Sequence, residues 1–190
     1  MKKNFLLMLI VLIFLTSCKG ESFVENKKLP QILFEENNQY LNTNDYSEEI
    51  NIIAIMNETT EIEENMLNCL HYLEREFIND MVSFDVVFLN ENKQIDKEVY
   101  FDEIISFKSD TLYDENIIID YENKIGNQYK MSNLPMIMIV KWDKTIEKII
   151  TKESELLNEE EKNKNYISIK NIIYKLLSTQ GDEIEANIVR

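Results

Sequence analysis

The chain has 190 residues, of which 44% are hydrophobic and 29% are charged, a balance typical of a globular protein rather than a disordered one. Its 20 basic and 35 acidic residues give a formal net charge of −15 at pH 7. Because nucleic acids and anionic lipid surfaces repel such a polyanion, the charge excludes a nucleic-acid partner, and by itself it identifies no ligand.

The first 17 residues have the pattern of a secretory signal peptide. Lys2 and Lys3 precede an uninterrupted apolar run from Phe5 to Leu15, which is shorter than the roughly 20 residues of a membrane-spanning helix. The run ends in the letters LTSC, which resemble the lipobox of bacterial lipoproteins. This resemblance implies cleavage before Cys18 and attachment of a lipid to its sulfur. The alternatives are an uncleaved anchor and an ordinary signal peptide followed by a chance cysteine.

These signals divide the chain into four parts. Residues 1–17 are the signal peptide, residues 18–28 a lipidated cysteine with a flexible polar tether, residues 29–180 one domain, and residues 181–190 a C-terminal tail. The mature chain is expected in the bacterial cell envelope, outside the cytoplasm, held by its lipid to the outer or the plasma membrane. Cys69 is then the one free thiol of the domain, which excludes an internal disulfide and a CxxC centre.

Strand and helix patterns alternate along the domain. In chain order they predict an edge strand over Leu29–Phe34, a buried strand over Ile50–Met56, a helix from about Glu61, a strand over Ser83–Leu89, a helix over Gln94–Ile105, a short strand over Asn116–Asp120, a helix over Tyr121–Lys130, a two-stranded hairpin over Leu134–Ile150 and a helix over Asn165–Leu177. Helix-length connections imply parallel pairing, and the hairpin adds antiparallel strands. The order therefore predicts an α/β fold with a mixed central sheet and helices on both faces.

The helix that starts near Glu61 has one apolar face, formed by Ile62, Met66, Cys69, Leu70, Leu73 and Phe77. Thr60 stands three residues before Glu63, which is the spacing of a capping box at a helix start. The helix is therefore predicted to begin with a reciprocal pair of side-chain hydrogen bonds.

The stretch from Asp120 to Ile149 contains an aspartate, a helix ending in an aromatic residue, a polar turn, one proline and two strands. This pattern resembles the C-terminal half of a thioredoxin fold and is most similar to the membrane-tethered TlpA/ResA-like and AhpC/TSA-type branch. Pro135, preceded by Leu134, falls where that family carries its cis-proline. The similarity spans roughly residues 50–150 and implies a thioredoxin-like three-layer fold.

One departure from the family bears directly on function. The family's CxxC motif falls on Thr60 to Glu63, where this chain has no cysteine. Because dithiol exchange needs a thiolate at the helix N-terminus, the usual disulfide reductase activity is not expected. The resemblance instead implies a groove that still binds a peptide or protein partner. That groove would be lined by Asn57, Glu58, Thr59, Thr60, Leu134 and Pro135.

Two other functional interpretations remain open. Cys69 could serve a single-cysteine thiol peroxidase or a thiol-exchange protein, although its place on the apolar face with Met66 and Leu73 favours a buried, inert thiol. Alternatively, the chain is an unrelated α/β lipoprotein in which the bond before Pro135 is trans. His71, the one histidine, is predicted on the solvent side of its helix, and the sequence offers neither a metal site nor a cofactor motif.

Overall fold

A computed structural model gives the architecture. It describes residues 22–36, 39–46, 49–91, 94–129, 131, 133–151 and 162–188, with the side chains of the last helix described over 166–180. The predicted signal peptide and the lipidation at Cys18 lie outside these ranges. Within them, no helix combines the length and the apolar character needed to cross a membrane.

Seven strands and four helices follow one another in the described residues. They are β1 (Leu33–Glu36), β2 (Gln39–Asn42), β3 (Ile50–Met56), α1 (Glu61–Glu76), β4 (Val82–Leu89), α2 (Lys97–Ser109), β5 (Ile118–Asp120), α3 (Lys124–Gln128), β6 (Met136–Val140), β7 (Ile146–Thr151) and α4 (Lys162–Ile188). Each predicted element from Ile50 onward is present, with ends displaced by a few residues except at the end of the last helix.

The central sheet has the strand order β5-β4-β3-β6-β7. Strand β3 pairs parallel to β4, β4 pairs parallel to β5, and β6 runs antiparallel to both β3 and β7. Every residue of β3 is buried, Asn51 included, as expected of a largely apolar strand in the middle of a sheet. The predicted mixed α/β sheet is confirmed.

Alternate residues of the central strands feed two separate cores. Ile52 and Ala54 of β3 face one core, which contains residues of α1, α2 and α4. Ile53 and Ile55 face the other core, which the β1–β2 hairpin and Ile125 of α3 cover. The period of two along a strand thus places helices on both faces of the sheet, as predicted.

The first hairpin differs from the predicted edge strand over Leu29–Phe34. Strand β1 starts only at Leu33 and pairs with β2 in a separate two-stranded sheet. Phe34 and Leu41 are 1% and 2% exposed, whereas Leu33 and Tyr40 face solvent. Each of these strands has only four residues and one fully buried side chain. The alternation of apolar and polar residues is therefore too short to identify either strand in the sequence.

The segment 22–28 also differs from its prediction as part of a flexible tether. The N–H of Asn26 donates to the carbonyl of Ile146 in β7 at 2.7 Å. The ring of Phe23 stacks on that of Tyr129, with centroids 5.1 Å apart. This part of the tether therefore lies against the domain, because it satisfies backbone groups beside β7 and covers an aromatic ring.

The last helix is longer than the predicted Asn165–Leu177. It continues to Ile188, so that residues 181–188, assigned by sequence to a tail, are helical. A single glycine, Gly181, costs a helix interior only about 1 kcal/mol, and no proline interrupts the segment.

Candidate functional site

The predicted groove residues meet at one edge of the central sheet. Asn57 to Thr60 form the turn that follows β3, and Leu134 and Pro135 immediately precede β6. Because Ile55 lies opposite Met136 in the register of these two strands, the turn and the proline emerge side by side. The Leu134–Pro135 peptide bond is cis, at the position where the resemblance predicts it.

The start of α1 carries the predicted capping box. The Thr60 hydroxyl accepts hydrogen bonds from the Ile62 N–H, at 3.3 Å, and from the Glu63 N–H. In return, Glu63 Oε2 accepts hydrogen bonds from the Thr60 N–H, at 3.3 Å, and from the Thr60 hydroxyl. The side chain of Glu63 is buried, so these contacts satisfy a carboxylate that water hardly reaches. A hydroxyl and a buried carboxylate thus occupy the start of this helix.

Two hydrogen bonds hold the rest of the turn. Asn57 Nδ2 donates to Glu91 Oε2 at 2.7 Å, and the Thr59 hydroxyl donates to Glu103 Oε1 at 3.0 Å. Glu91 follows the carboxyl end of β4, and Glu103 lies in α2, so the turn is tied to two neighbouring elements. Glu58 between them is exposed.

Sequence reasoning missed both of these glutamates. Glu91 has a usable signal, because it lies two residues after the end of a strand that pairs parallel to β3 and therefore ends at the same edge. Glu103 has none, since it is one of several acids in an acidic helix and only the packing of α2 brings it to Thr59.

Tyr100 lies beneath this edge. Its residue is 5% exposed, and its hydroxyl has no hydrogen-bond partner among the described residues. Burial raises the pKa of the phenol, and the nearby charges of Glu103, Asp120 and Glu91 raise it further. The hydroxyl therefore stays protonated, as a buried donor surrounded by acids.

Cys69 lies more than two turns into α1, away from the helix start. It is half-buried and packs against the core that α1 shares with α4. Burial raises the pKa of its thiol to about 12, so that the thiolate is scarce near neutral pH. The side chain thus lies on the core-facing side of α1, where the sequence places it.

His71 does not face solvent as predicted. Its side chain is only 15% exposed, and its Nδ1 lies 3.4 Å from Asp114 Oδ1. The segment after α2 covers this side of α1, where Asn68 Oδ1 accepts the N–H of Leu112 at 2.7 Å. The period of a helix locates its polar side but not the loops that cover it.

Within the ranges that the structure describes, no three His, Cys, Asp or Glu side chains are grouped so that they could hold a metal ion. What the edge offers is hydrogen-bond donors and acceptors, carboxylates and the half-buried Leu134.

Comparisons with known proteins give matches in structure alone. No protein-family model and no curated protein matches the sequence. A thiol:disulfide interchange protein of the thioredoxin family from Chlorobium tepidum is 7% identical, with a TM-score of 0.58 over 82% of this chain and 99% of that one. A candidate protein disulfide isomerase from Bacteroides thetaiotaomicron is 12% identical, with a TM-score of 0.61 over 82% of this chain and 91% of that one.

A third match is a secreted disulfide oxidoreductase of Mycobacterium tuberculosis that is homologous to DsbE of Escherichia coli. It is 10% identical, with a TM-score of 0.52 over 68% of this chain and 88% of that one. At such identities the three matches establish a common fold only. The activity of this chain has to be argued from its own residues.

Proposed function

Starting from the thioredoxin-like fold of this chain, we propose that the protein is a lipid-anchored envelope protein that binds an extended polypeptide without dithiol chemistry. The binding edge is the one formed by Asn57 to Thr60 and by Leu134–Pro135. The observation that carries the proposal is the capping box of Thr60 and Glu63, because the resemblance aligns these positions with the dithiol of a reductase.

The chemistry of the helix start supports a non-redox role. A reactive thiol needs the dipole and the free N–H groups of a helix N-terminus to lower its pKa. Here those N–H groups are bonded to Thr60, and Cys69 lies in apolar surroundings that raise its pKa to about 12. A hydroxyl and a carboxylate cannot exchange disulfides.

Polypeptide binding rests on the family's geometry together with the residues present. In thioredoxin folds the groove beside the cis-proline holds extended polypeptide through backbone hydrogen bonds. In this chain the cis Leu134–Pro135 bond stands next to a turn of amide, acid and hydroxyl side chains. Such a turn suits the polar backbone and the varied side chains of a peptide.

The envelope location rests on the N-terminal signals. Lys2, Lys3, the apolar run and the LTSC sequence together support secretion and lipidation at Cys18. Labelling of cells with an alkyne analogue of palmitate tests this part: the full chain should incorporate the label, and its Cys18→Ala variant should not. Equal labelling of both variants contradicts lipidation at Cys18.

The binding part is tested on an array of unstructured peptides. We expect the full chain to bind a subset of them, and Leu134→Arg to abolish binding because it places a bulky charge beside the groove. Ile78→Arg is the matched control, since Ile78 is 70% exposed just beyond the other end of α1. Unchanged binding by Leu134→Arg rules out this groove.

Thiol exchange through Cys69 is the rival function, and alkylation separates the two. We expect iodoacetamide to modify Cys69 only after denaturation, as followed by mass spectrometry of the peptide that contains it. We also expect no reduction of insulin disulfides, by the wild type or by Cys69→Ser. Rapid alkylation of the folded chain, with an insulin-reducing activity that Cys69→Ser lacks, would favour the rival.

A further inference from the structure

We propose that the binding edge selects polypeptide segments that carry lysine or arginine, an inference that rests on the proposed polypeptide binding. It starts from Glu91 and Glu103, which contact the turn after β3 from the side of β4 and α2 and are both exposed. Each accepts a hydrogen bond from a neutral donor, the amide of Asn57 for one and the hydroxyl of Thr59 for the other.

Their surroundings differ from those of acids elsewhere in the domain. Glu36 lies 2.8 Å from Lys97 Nζ and 3.2 Å from Lys124 Nζ, and Glu76 lies 2.6 Å from Lys170 Nζ. Among the residues that the structure describes, no basic side chain lies within ion-pair distance of Glu91 or Glu103. The binding edge therefore presents two carboxylates whose charges the described part of the chain leaves uncompensated.

Tyr100 supplies a second, independent observation. The residue is 5% exposed, its hydroxyl has no hydrogen-bond partner among the described residues, and it lies one helical turn before Glu103 on α2. Buried hydroxyls are normally hydrogen-bonded. An unpaired, buried donor therefore lies on the inner side of α2, close to the acidic edge in sequence.

The chemistry of the edge favours a cationic side chain over other ligands. An extended segment beside Leu134–Pro135 points alternate side chains toward the turn. A lysine or arginine there gains charge-assisted hydrogen bonds to Glu91 and Glu103, a glutamine gains only neutral ones, and a glutamate is repelled. Because both carboxylates are exposed, the preference is modest and weakens as salt is added.

The test uses three fluorescent peptides that differ in one central residue, which is lysine, glutamine or glutamate. By fluorescence anisotropy with the full chain, we expect the lysine peptide to bind about five-fold more tightly than the glutamine peptide at low salt. The measured quantity is this ratio of dissociation constants. The ratio should fall to about one in Glu91→Gln/Glu103→Gln, and Glu103→Lys should favour the glutamate peptide.

A matched control also removes two negative charges, but from the opposite end of the sheet. Asp80 precedes the amino end of β4, and Asp110 ends α2, which runs back along the sheet between two parallel strands. Asp80→Asn/Asp110→Asn should keep the ratio of the wild type. Loss of the ratio in this control would assign it to the net charge of the chain and overturn the proposed site.

The remaining outcomes separate this inference from the function on which it rests. Equal binding of the lysine and glutamine peptides by the wild type overturns the charge selection and leaves polypeptide binding intact. A ratio that survives in both Glu91→Gln/Glu103→Gln and Glu103→Lys overturns the assignment to these carboxylates. Failure of every peptide to bind the wild type overturns the proposed function, and the charge selection with it.

Discussion

The side-chain amide of Gln39 forms hydrogen bonds with the backbone around Ile119 that a neighbouring strand would otherwise form. Its Oε1 accepts the Ile119 N–H at 2.9 Å, and its Nε2 donates to the carbonyl of Ile117 at 2.8 Å. Strand β5 is the outer strand on this side of the sheet. One side chain of the first hairpin therefore satisfies backbone groups that an edge strand otherwise leaves open to another chain.

Replacement of Gln39 should destabilise the domain and expose this edge. Gln39→Ala removes two hydrogen bonds, and we expect the free energy of unfolding in urea to fall by about 1–2 kcal/mol. We also expect concentration-dependent self-association in size-exclusion chromatography with light scattering. Gln31→Ala, at an exposed glutamine before the hairpin, is the control and should do neither. A monomeric Gln39→Ala with wild-type stability would show that water satisfies the edge equally well.

Loss of the Thr60 hydroxyl should weaken the start of α1. Thr60→Ala removes an acceptor of helix N–H groups and a donor to the buried carboxylate of Glu63, so we expect a loss of about 2 kcal/mol, at the upper end for a helix cap. Thr59→Ala is the matched control, because its hydroxyl bonds the exposed Glu103. Its cost should stay below about 0.5 kcal/mol. Equal losses in urea unfolding would contradict the importance of the capping box.

Glu74 should make stability depend on pH in the neutral range. Burial, and then the charges of Glu115 and Asp114, raise the pKa of this carboxyl to about 7 against the opposing charge of Arg75. Burial, and then the charge of Glu74, raise the pKa of the Tyr113 phenol as well. Because the folded pKa lies above the ordinary value of 4.5, the folded state binds the proton more tightly. The resulting stabilisation is complete below pH 4.5 and disappears as the pH rises to about 7.

Glu74→Gln checks this dependence, because glutamine resembles the protonated acid at every pH. In thermal unfolding we expect the variant to match the wild type in acid and to melt a few degrees higher than the wild type above neutral pH. The gap should open between about pH 4.5 and 7. A gap that is constant with pH, or a variant that is less stable above neutral pH, would contradict the raised pKa.

Glu76 should hold the C-terminal helix against α1. Its carboxylate accepts hydrogen bonds from the hydroxyls of Tyr174 and Tyr166, at 2.7 and 3.3 Å, and pairs with Lys170. Lys170 Nζ also lies 5.5 and 5.6 Å from the centroids of the two tyrosine rings. Glu76→Gln should therefore speed amide hydrogen exchange across 166–180 and leave the exchange of β3 slow.

The control for this prediction is Glu147→Gln, which breaks a looser pair with Lys141 at 3.7 Å in the β6–β7 hairpin. It should leave exchange in α4 unchanged. Equal protection of α4 in Glu76→Gln and the wild type would show that apolar contacts of Ile169 and Ile173 alone hold this helix.

Local pattern was enough to predict the elements that depend on neighbours in sequence. The apolar run Ile50–Met56 gave the central strand, and the spacing of Thr60 and Glu63 gave the cap of α1. The apolar face of α1 was predicted less completely: Leu67 is fully buried, and the predicted face omits it. Packing from two sides widens the buried arc of a helix beyond the stripe that periodicity identifies.

Contacts between distant segments could not be predicted in this way. Glu103 reaches Thr59 across 44 residues of sequence, and Gln39 reaches Ile119 across 80. Each contact depends on how a helix or a hairpin is docked, and no residue pattern near either partner reports it. The same limit explains His71, whose cover comes from a loop more than 40 residues later.

The path of residues 22–28 has a consequence for how an anchored domain would stand on a membrane. Lys28 pairs with Thr145 just before β7, and Phe23 lies on Tyr129, shortly before the Leu134–Pro135 bond. Toward the N-terminus the chain therefore runs to the edge that carries the groove. With a lipid on Cys18, three residues lie between that cysteine and Ser22, and the four Cα–Cα steps span at most about 14 Å. So short a tether would turn the groove toward the lipid surface, where it would meet segments that emerge from the membrane.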